Sequence, residues 1–174
     1  MFKTVSLKFL LFICLGRLEG AIVTPHGTAY FSPEDHLEKR LIDAIHEEKE
    51  SLYICVYHFT HRGIVTALIE AKKRGVEVEV VVDQFAVKAS SPLHRLNRAG
   101  IPVYVWSPYR SKSQKMRRPM MNHKFCVFGT KKVWTGSFNF TYEAARLHQE
   151  NVLVMENEAL AQGYKNQFYT IKHR

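Results

Sequence analysis

The sequence lacks the features that mark several specialised classes of protein. It has only three cysteines, and no cysteine or histidine spacing resembles a zinc site. It contains no internal repeat and no low-complexity segment. Its clearest apolar run, Phe9–Leu15, is far shorter than the ~20 residues that a membrane-spanning helix needs. We therefore expect one globular domain with neither a metal ion nor another cofactor.

Acidic residues are outnumbered, and the excess of positive charge is concentrated. The formal net charge is +9 and the sequence pI is about 9.5. The segment Ser107–Pro119 has no acid, no apolar period and five basic residues, namely Arg110, Lys112, Lys115, Arg117 and Arg118. Such a balance favours a polyanionic partner, either nucleic acid or an anionic phospholipid surface.

The N-terminus resembles a targeting segment. Lys3 and Lys8 precede the apolar run, and the small residues Gly20 and Ala21 follow it. This order predicts a signal peptide over residues 1–20, a mature domain over 21–174 and a secreted or periplasmic protein. Arg17 and Glu19 are unusual in a cleavage region, so a membrane tether at the N-terminus is the alternative.

Short strand patterns alternate with helix patterns along most of the mature chain. Strands are expected at 28–31, 51–57, 76–83, 101–106, 121–128, 132–135 and 151–155. Helices are expected at 35–49, 62–74, 92–99, 139–147 and from 158 to the end. This alternation predicts an α/β fold with a mainly parallel central sheet. Cys55 and Cys126 lie in apolar strands and are expected to be buried free thiols, with a disulfide between them as the alternative.

The segment from Met121 to Asn151 carries the chemistry. Lys124 is followed at a fixed distance by Gly136, Ser137 and Asn139, and then by Glu150-Asn151. This pattern resembles the phospholipase D motif His-x-Lys-x4-Asp-x6-Gly-Ser-x-Asn. It is most similar to the small single-motif members, which include Nuc-type endonucleases and mitochondrial cardiolipin hydrolases. The resemblance extends over residues 27–155 and implies an α/β/α sandwich.

Two positions depart from the family motif. Asn122 stands at the histidine position and Gly129 at the aspartate position. His123 is adjacent, but side chains alternate along a strand, so we expect it to face away from Lys124. The aspartate supports the motif in the family, so we expect the change at Gly129 to matter less.

The resemblance implies a role for each matching residue. The family hydrolyses phosphodiesters without metal through a phosphohistidine, with a second histidine as the acid and base. Asn122 would occupy the nucleophile position, Lys124 would hold the phosphate charge, and Ser137 and Asn139 would donate hydrogen bonds to it. Glu150 would orient the motif histidine. One motif is half of a site, so the resemblance also implies a homodimer.

Substrate contacts are expected from the residues around the motif. The basic segment would lie at the groove mouth and bind a phosphate backbone. Tyr109 and Trp106 are candidates for base stacking, although Trp106 also fits a core position. His58 follows a strand end and could line the groove, but a surface or turn-capping role is equally compatible with its position.

Three functional hypotheses remain open from the sequence. In the first, the protein is a nuclease, or a phospholipase acting on cardiolipin-like lipids, that Asn122 inactivates, since His→Asn is a near-isosteric way to trap a substrate complex. In the second, it is a natural pseudoenzyme that binds nucleic acid or anionic lipid, which the additional departure at Gly129 favours. In the third, another side chain serves as the nucleophile. We favour the first hypothesis, the enzymatic function of the family, with this particular chain impaired.

Overall fold

The computed structural model describes residues 26–87, 91–108 and 119–173, with the backbone of 17–18 and 21–24. The strands are β1 Arg17–Leu18, β2 Ala21–Thr24, β3 Gly27–Phe31, β4 Ser51–Val56, β5 Glu77–Asp83, β6 Val103–Trp106, β7 Lys124–Phe128, β8 Lys132–Gly136 and β9 Asn151–Glu156. The helices are α1 Leu37–Glu47, α2 Arg62–Lys73, α3 Leu93–Arg98, α4 Tyr142–Arg146 and α5 Glu158–Lys172. A short 3-10 turn spans Gln84–Ala86.

All of these strands belong to one mixed sheet. Their order is β1-β2-β3-β9-β8-β7-β4-β5-β6. The α/β class is confirmed, but the mainly parallel sheet is wrong, because only β4–β5 and β5–β6 pair in parallel. The other pairs are antiparallel. The chain leaves the helix-strand alternation after β6, and a turn at Gly129 with φ of +54° joins β7 directly to β8 as a hairpin.

Helices cover both faces of the sheet, as the sandwich prediction requires. On one face, α1, α2 and α3 bury their apolar sides against alternate residues of β4, β5, β7 and β8. On the other face, α5 packs through Phe168 and Ile171 against a cluster that includes Tyr53 and Phe125. Every residue of β4 is buried, which accounts for its continuous apolar pattern.

The two strand cysteines lie on opposite faces of the sheet. Cys126 packs in the cluster beneath α1 and α2, whereas Cys55 packs in the cluster beneath α5. Both are buried free thiols, so the disulfide alternative is wrong. Burial raises the pKa of each thiol well above its ordinary value.

Helix α4 is shorter than the pattern predicted. The chain at Phe140 is held extended, because its N–H donates to the His58 carbonyl oxygen at 3.0 Å. The helix then begins after Thr141, whose hydroxyl accepts from the Ala144 N–H at 3.1 Å. Within the described parts of the chain, no helix is both long and apolar enough to cross a membrane.

Candidate phosphodiester site

The motif residues lie together where the strands end, along one side of the sheet. Lys124 begins β7 and lies opposite Val56, the last residue of β4. Gly136 ends β8 and lies opposite Val152, near the start of β9. The antiparallel pairing of β7, β8 and β9 therefore brings segments that are distant in sequence to the same edge.

Asn122 and Lys124 are in direct contact. The Lys124 ammonium donates to the Asn122 side-chain oxygen at 2.5 Å and to its backbone oxygen at 2.8 Å. The ammonium also lies 5.6 Å from the centre of the Tyr57 ring. Burial lowers the pKa of Lys124, and the negative charge of Glu150 opposes that shift. The residue at the histidine position thus lies beside the cation that would hold a phosphate.

His123 lies on the other face, as the alternation predicted. Its ring contacts the ring of Phe125, 5.6 Å away, and Phe125 belongs to the cluster beneath α5. Its carbonyl oxygen accepts from the Tyr57 N–H at 3.0 Å. Burial, followed by the charge of Lys124, lowers the pKa of the His123 imidazole. His123 is therefore not placed with Lys124 and Asn122.

The Ser137 hydroxyl bonds to Glu150 and Asn151 at the start of β9. Its hydroxyl donates to a carboxylate oxygen of Glu150 and accepts from the Asn151 N–H at 3.1 Å. A hydroxyl has one hydrogen to donate. In this structure the Ser137 hydrogen therefore goes to Glu150, and its donation to a phosphate stays a prediction.

Gly136 is required by a close approach of two backbones. A Cβ at this position would lie 2.1 Å from the Asn151 carbonyl oxygen and 2.9 Å from the Val152 Cα. No side chain fits in that space. The glycine of the Gly-Ser-x-Asn motif thus lets β8 and β9 bring Ser137 and Glu150 together.

Asn139 and His58 meet at a cleft beside this pair. The His58 N–H donates to the Asn139 side-chain oxygen at 3.2 Å, which leaves the amide NH2 group for a ligand. The His58 ring stacks on Tyr57 with centres 4.3 Å apart. A cleft of about 340 Å³ is lined by His58, Thr60, Asn139, Thr141, Glu143, Ala144 and His148.

Glu150 is nearly enclosed, with 11% of its side chain exposed, and one of its oxygens lies 3.9 Å from His148 Nδ1.

The sequence did not predict two buried residues that hold this region. Ser32 bonds to the His148–Glu150 segment. Asp83 is fully buried and accepts from the Met121 N–H at 2.8 Å, which fixes the chain just before Asn122.

Gly129 lies at the far end of β7. Four strand residues lie between it and Lys124, and these five residue steps span about 16 Å. Its nearest side chains are Glu50 and Glu48, and its positive φ favours glycine. The departure at the aspartate position therefore lies away from the phosphodiester site.

The other predicted residues have separate outcomes. Arg110, Lys112, Lys115, Arg117 and Arg118, with Tyr109, lie outside the described residues. Trp106 packs against the cluster beneath α5, in agreement with the core alternative. Among the residues that the structure describes, no three His, Cys, Asp or Glu side chains are grouped as metal ligands.

Comparison with known proteins identifies the family. The model of the family described as "Cardiolipin synthase, PLD-like domain" matches residues 41–172. A phospholipase D of Rickettsia bellii is 36% identical over 83% of this chain and 68% of its own length. A mitochondrial cardiolipin hydrolase of Xenopus tropicalis is 29% identical over 83% of this chain and 61% of its own length.

Solved structures agree with this result. The phospholipase D family member Nuc of Salmonella typhimurium is 29% identical, with a TM-score of 0.72 over 82% of this chain and 91% of its own. NucT of Helicobacter pylori shares the fold, with 23% identity and a TM-score of 0.76 over 83% of this chain and 94% of its own. The matched family model, the relatives and the strand-end cluster of Lys124, Ser137, Asn139 and Glu150 agree, and this chain belongs to the phospholipase D superfamily.

Proposed function

We propose that this protein is a phosphodiester-binding chain of the hydrolase type whose catalytic turnover is impaired by Asn122. The contact between the Lys124 ammonium and the Asn122 side chain is the observation that carries this proposal. It supports a site in which residue 122 lies where a nucleophile would meet a phosphate held by Lys124. The amide of Asn139 and the carboxylate of Glu150 lie at the same strand ends.

The chemistry explains why Asn122 impairs turnover. A histidine nitrogen there would bond to phosphorus while the ester oxygen leaves and takes a proton from a second histidine. Water would then break the phosphorus–nitrogen bond and regenerate the imidazole. An amide is neither a nucleophile nor a base near neutral pH. Loss of acid–base help alone costs about 10²–10⁴ in rate, and loss of the covalent route adds to this.

We propose nucleic acid as the substrate class. The cleft beside Asn139 has walls of imidazole, hydroxyl and carboxylate groups, and Ala144 is the one apolar residue among the described residues that line it. Such walls suit a sugar or a base attached to the phosphate better than an acyl chain. The net charge of +9 supports a polyanionic ligand.

A phospholipid substrate is the second candidate. It is supported by the names of the relatives, which include phospholipase D proteins and mitochondrial cardiolipin hydrolases. These relatives are longer than this chain, and the chain spans 61–68% of the two described above. A vesicle arm in the assay below therefore accompanies the nucleic-acid arms.

We further propose that two copies complete the site. The mechanism needs two motif histidine positions, and the sequence contains one such motif. A two-fold axis at this strand edge would bring two copies of residue 122 to one phosphate. Sedimentation at several concentrations tests this proposal, with a dimer expected and a monomer at all concentrations contradicting it.

Paired turnover in a chelator is the main test. This chain, Asn122→His and Asn122→His with Lys124→Met would be assayed on single-stranded DNA, RNA, duplex DNA and cardiolipin vesicles. We expect Asn122→His to cut nucleic acid. The unaltered chain and the Asn122→His, Lys124→Met double variant should either bind without cutting or cut at least about 10²-fold more slowly. His123→Asn is the matched control and should leave the result unchanged, because His123 lies on the other face.

The binding-module alternative makes a different prediction. It is supported by Asn122 itself, since a natural pseudoenzyme would keep the phosphate site without the nucleophile. Salt-dependent binding by both chains, without cleavage by Asn122→His on any substrate, would favour it. Cleavage by the unaltered chain that His123→Asn abolishes would contradict both readings.

A further inference from the structure

Ser32 has an unusual set of partners for a buried serine. It follows β3 directly and is fully buried. Its hydroxyl donates to the His148 carbonyl oxygen at 2.7 Å and accepts from the Glu150 N–H at 3.0 Å. Its own N–H donates to the Glu150 carbonyl oxygen at 3.0 Å. One residue therefore bonds to the backbone just before Glu150 and to both backbone polar groups of Glu150.

This arrangement needs a hydroxyl. Ser32 Oγ acts as donor and acceptor at once, to two groups that are two residues apart. Alanine would leave the His148 carbonyl oxygen and the Glu150 N–H without these partners, and an unmade hydrogen bond at a partly buried group is unfavourable. A substitution at Ser32 should therefore first disturb the backbone of the segment that carries Glu150.

The turn that carries Ser32 is itself held firmly. Asp35 is buried, and its carboxylate accepts from the Phe31 N–H at 2.7 Å. The Asp35 N–H donates to the Phe31 carbonyl oxygen at 2.9 Å. The Arg40 side chain donates to the Asp35 carbonyl oxygen at 2.7 Å. These bonds hold the turn that contains Ser32 against the start of α1, so Ser32 can fix the position of the chain that leads into β9.

Glu150 connects Ser32 to the motif residues. Its carboxylate accepts from the Ser137 hydroxyl, and its charge favours the protonated form of Lys124. We propose that Ser32 is a positioning residue that acts through Glu150: it fixes the carboxylate that accepts from the Ser137 hydroxyl and whose charge acts on Lys124. This inference rests on the proposed function for its catalytic consequence, but its structural step is independent of turnover.

A double-mutant cycle in the Asn122→His background tests the catalytic consequence. We expect Ser32→Ala to lower kcat about 10–100-fold, as loss of a residue that orients a catalytic group does, with little change in KM. Glu150→Gln should lower it at least as much. If Ser32 acts through Glu150, the double variant should be no slower than Glu150→Gln alone. Two multiplied losses would overturn the proposal.

Two variants separate positioning from general loss of structure. Ser91→Ala is the matched control, because Ser91 is also buried and its hydroxyl accepts from a near neighbour in sequence, the Leu93 N–H, at 3.4 Å. It should leave kcat unchanged. Ser32→Cys fills the space of serine but is a weak donor, so it serves if Ser32→Ala is unfolded at the assay temperature. It should repeat the fall in kcat, and unchanged kcat in folded Ser32→Cys would overturn the proposal.

Titration of Lys124 tests the structural step without any catalysis. NMR would follow the pKa of the Lys124 ammonium in the unaltered chain and in Ser32→Ala and Glu150→Gln, all of which keep Asn122. In Ser32→Ala this pKa should fall toward its value in Glu150→Gln, because the Glu150 carboxylate no longer lies in place. An unchanged Lys124 pKa in Ser32→Ala would overturn the inference. If Asn122→His never cuts while this shift is found, the proposed function fails and the positioning of Glu150 by Ser32 stands.

Discussion

The close approach of β8 and β9 makes Gly136 the position with the clearest predicted effect. In Gly136→Ala the new Cβ would lie 2.1 Å from the Asn151 carbonyl oxygen, and backbone cannot move aside as a flexible side chain can. Overpacking of this kind costs about 1–3 kcal/mol, and we expect about 3 kcal/mol because the contact is so short. For a chain of this size each kcal/mol shifts Tm by about 2–4 °C, so Tm should fall by about 6–12 °C.

A second glycine provides the matched control. Gly163 lies within α5, and a Cβ there would meet nothing within 4 Å. Gly163→Ala should raise stability by about 1 kcal/mol, because alanine favours the helix and restricts the unfolded chain. Thermal and urea unfolding of both variants measure the pair. An unchanged Tm in Gly136→Ala would refute the β8–β9 geometry on which the contact between Ser137 and Glu150 depends.

Three further predictions follow from single contacts. Affinity for a phosphodiester should fall as pH rises through the Lys124 pKa, which burial holds below 10.5, because only the protonated ammonium attracts phosphate. In a binding titration, Lys124→Arg should remove this fall in affinity. Asp83→Ala should lower the free energy of unfolding in urea by about 3 kcal/mol, because the N–H groups of Met121 and Phe85 lose a buried carboxylate, and a loss under ~0.5 kcal/mol would contradict this role. Cys55 and Cys126 should resist alkylation until the chain unfolds, as peptide mapping can measure, and a Cys55–Cys126 disulfide in oxidised protein would contradict their placement on opposite faces.

Local pattern was sufficient for the elements that have a clear apolar run or a clear stop signal. The continuous apolar run of β4 and the glycine at the end of α2 place those elements within one or two residues of their predicted bounds. The alternation at Asn122, His123 and Lys124 was also readable, because a strand fixes which neighbours share a face. These features depend on residues close together in the sequence.

The remaining features depend on partners that lie far apart along the chain. The antiparallel pairing of β9 between β3 and β8 leaves no local signal, so a parallel sheet was the natural expectation. Ser32 reads as a serine at the start of a helix, yet its partner His148 is 116 residues away. Asp83 reads as a residue at a strand end, yet it holds Met121. Such pairs form only when the sheet assembles.

We propose that residue 122 occupies the nucleophile position of a phosphodiesterase site. The test is mass spectrometry of Asn122→His mixed with a phosphodiester substrate and quenched in denaturant at alkaline pH, where a phosphohistidine is stable, with the unaltered chain alongside. We expect an acid-labile phosphorus–nitrogen adduct on the histidine introduced at position 122, and none on the unaltered chain. Substrate cleavage by Asn122→His with no adduct at that position, or an adduct on His123 in either chain, would contradict it.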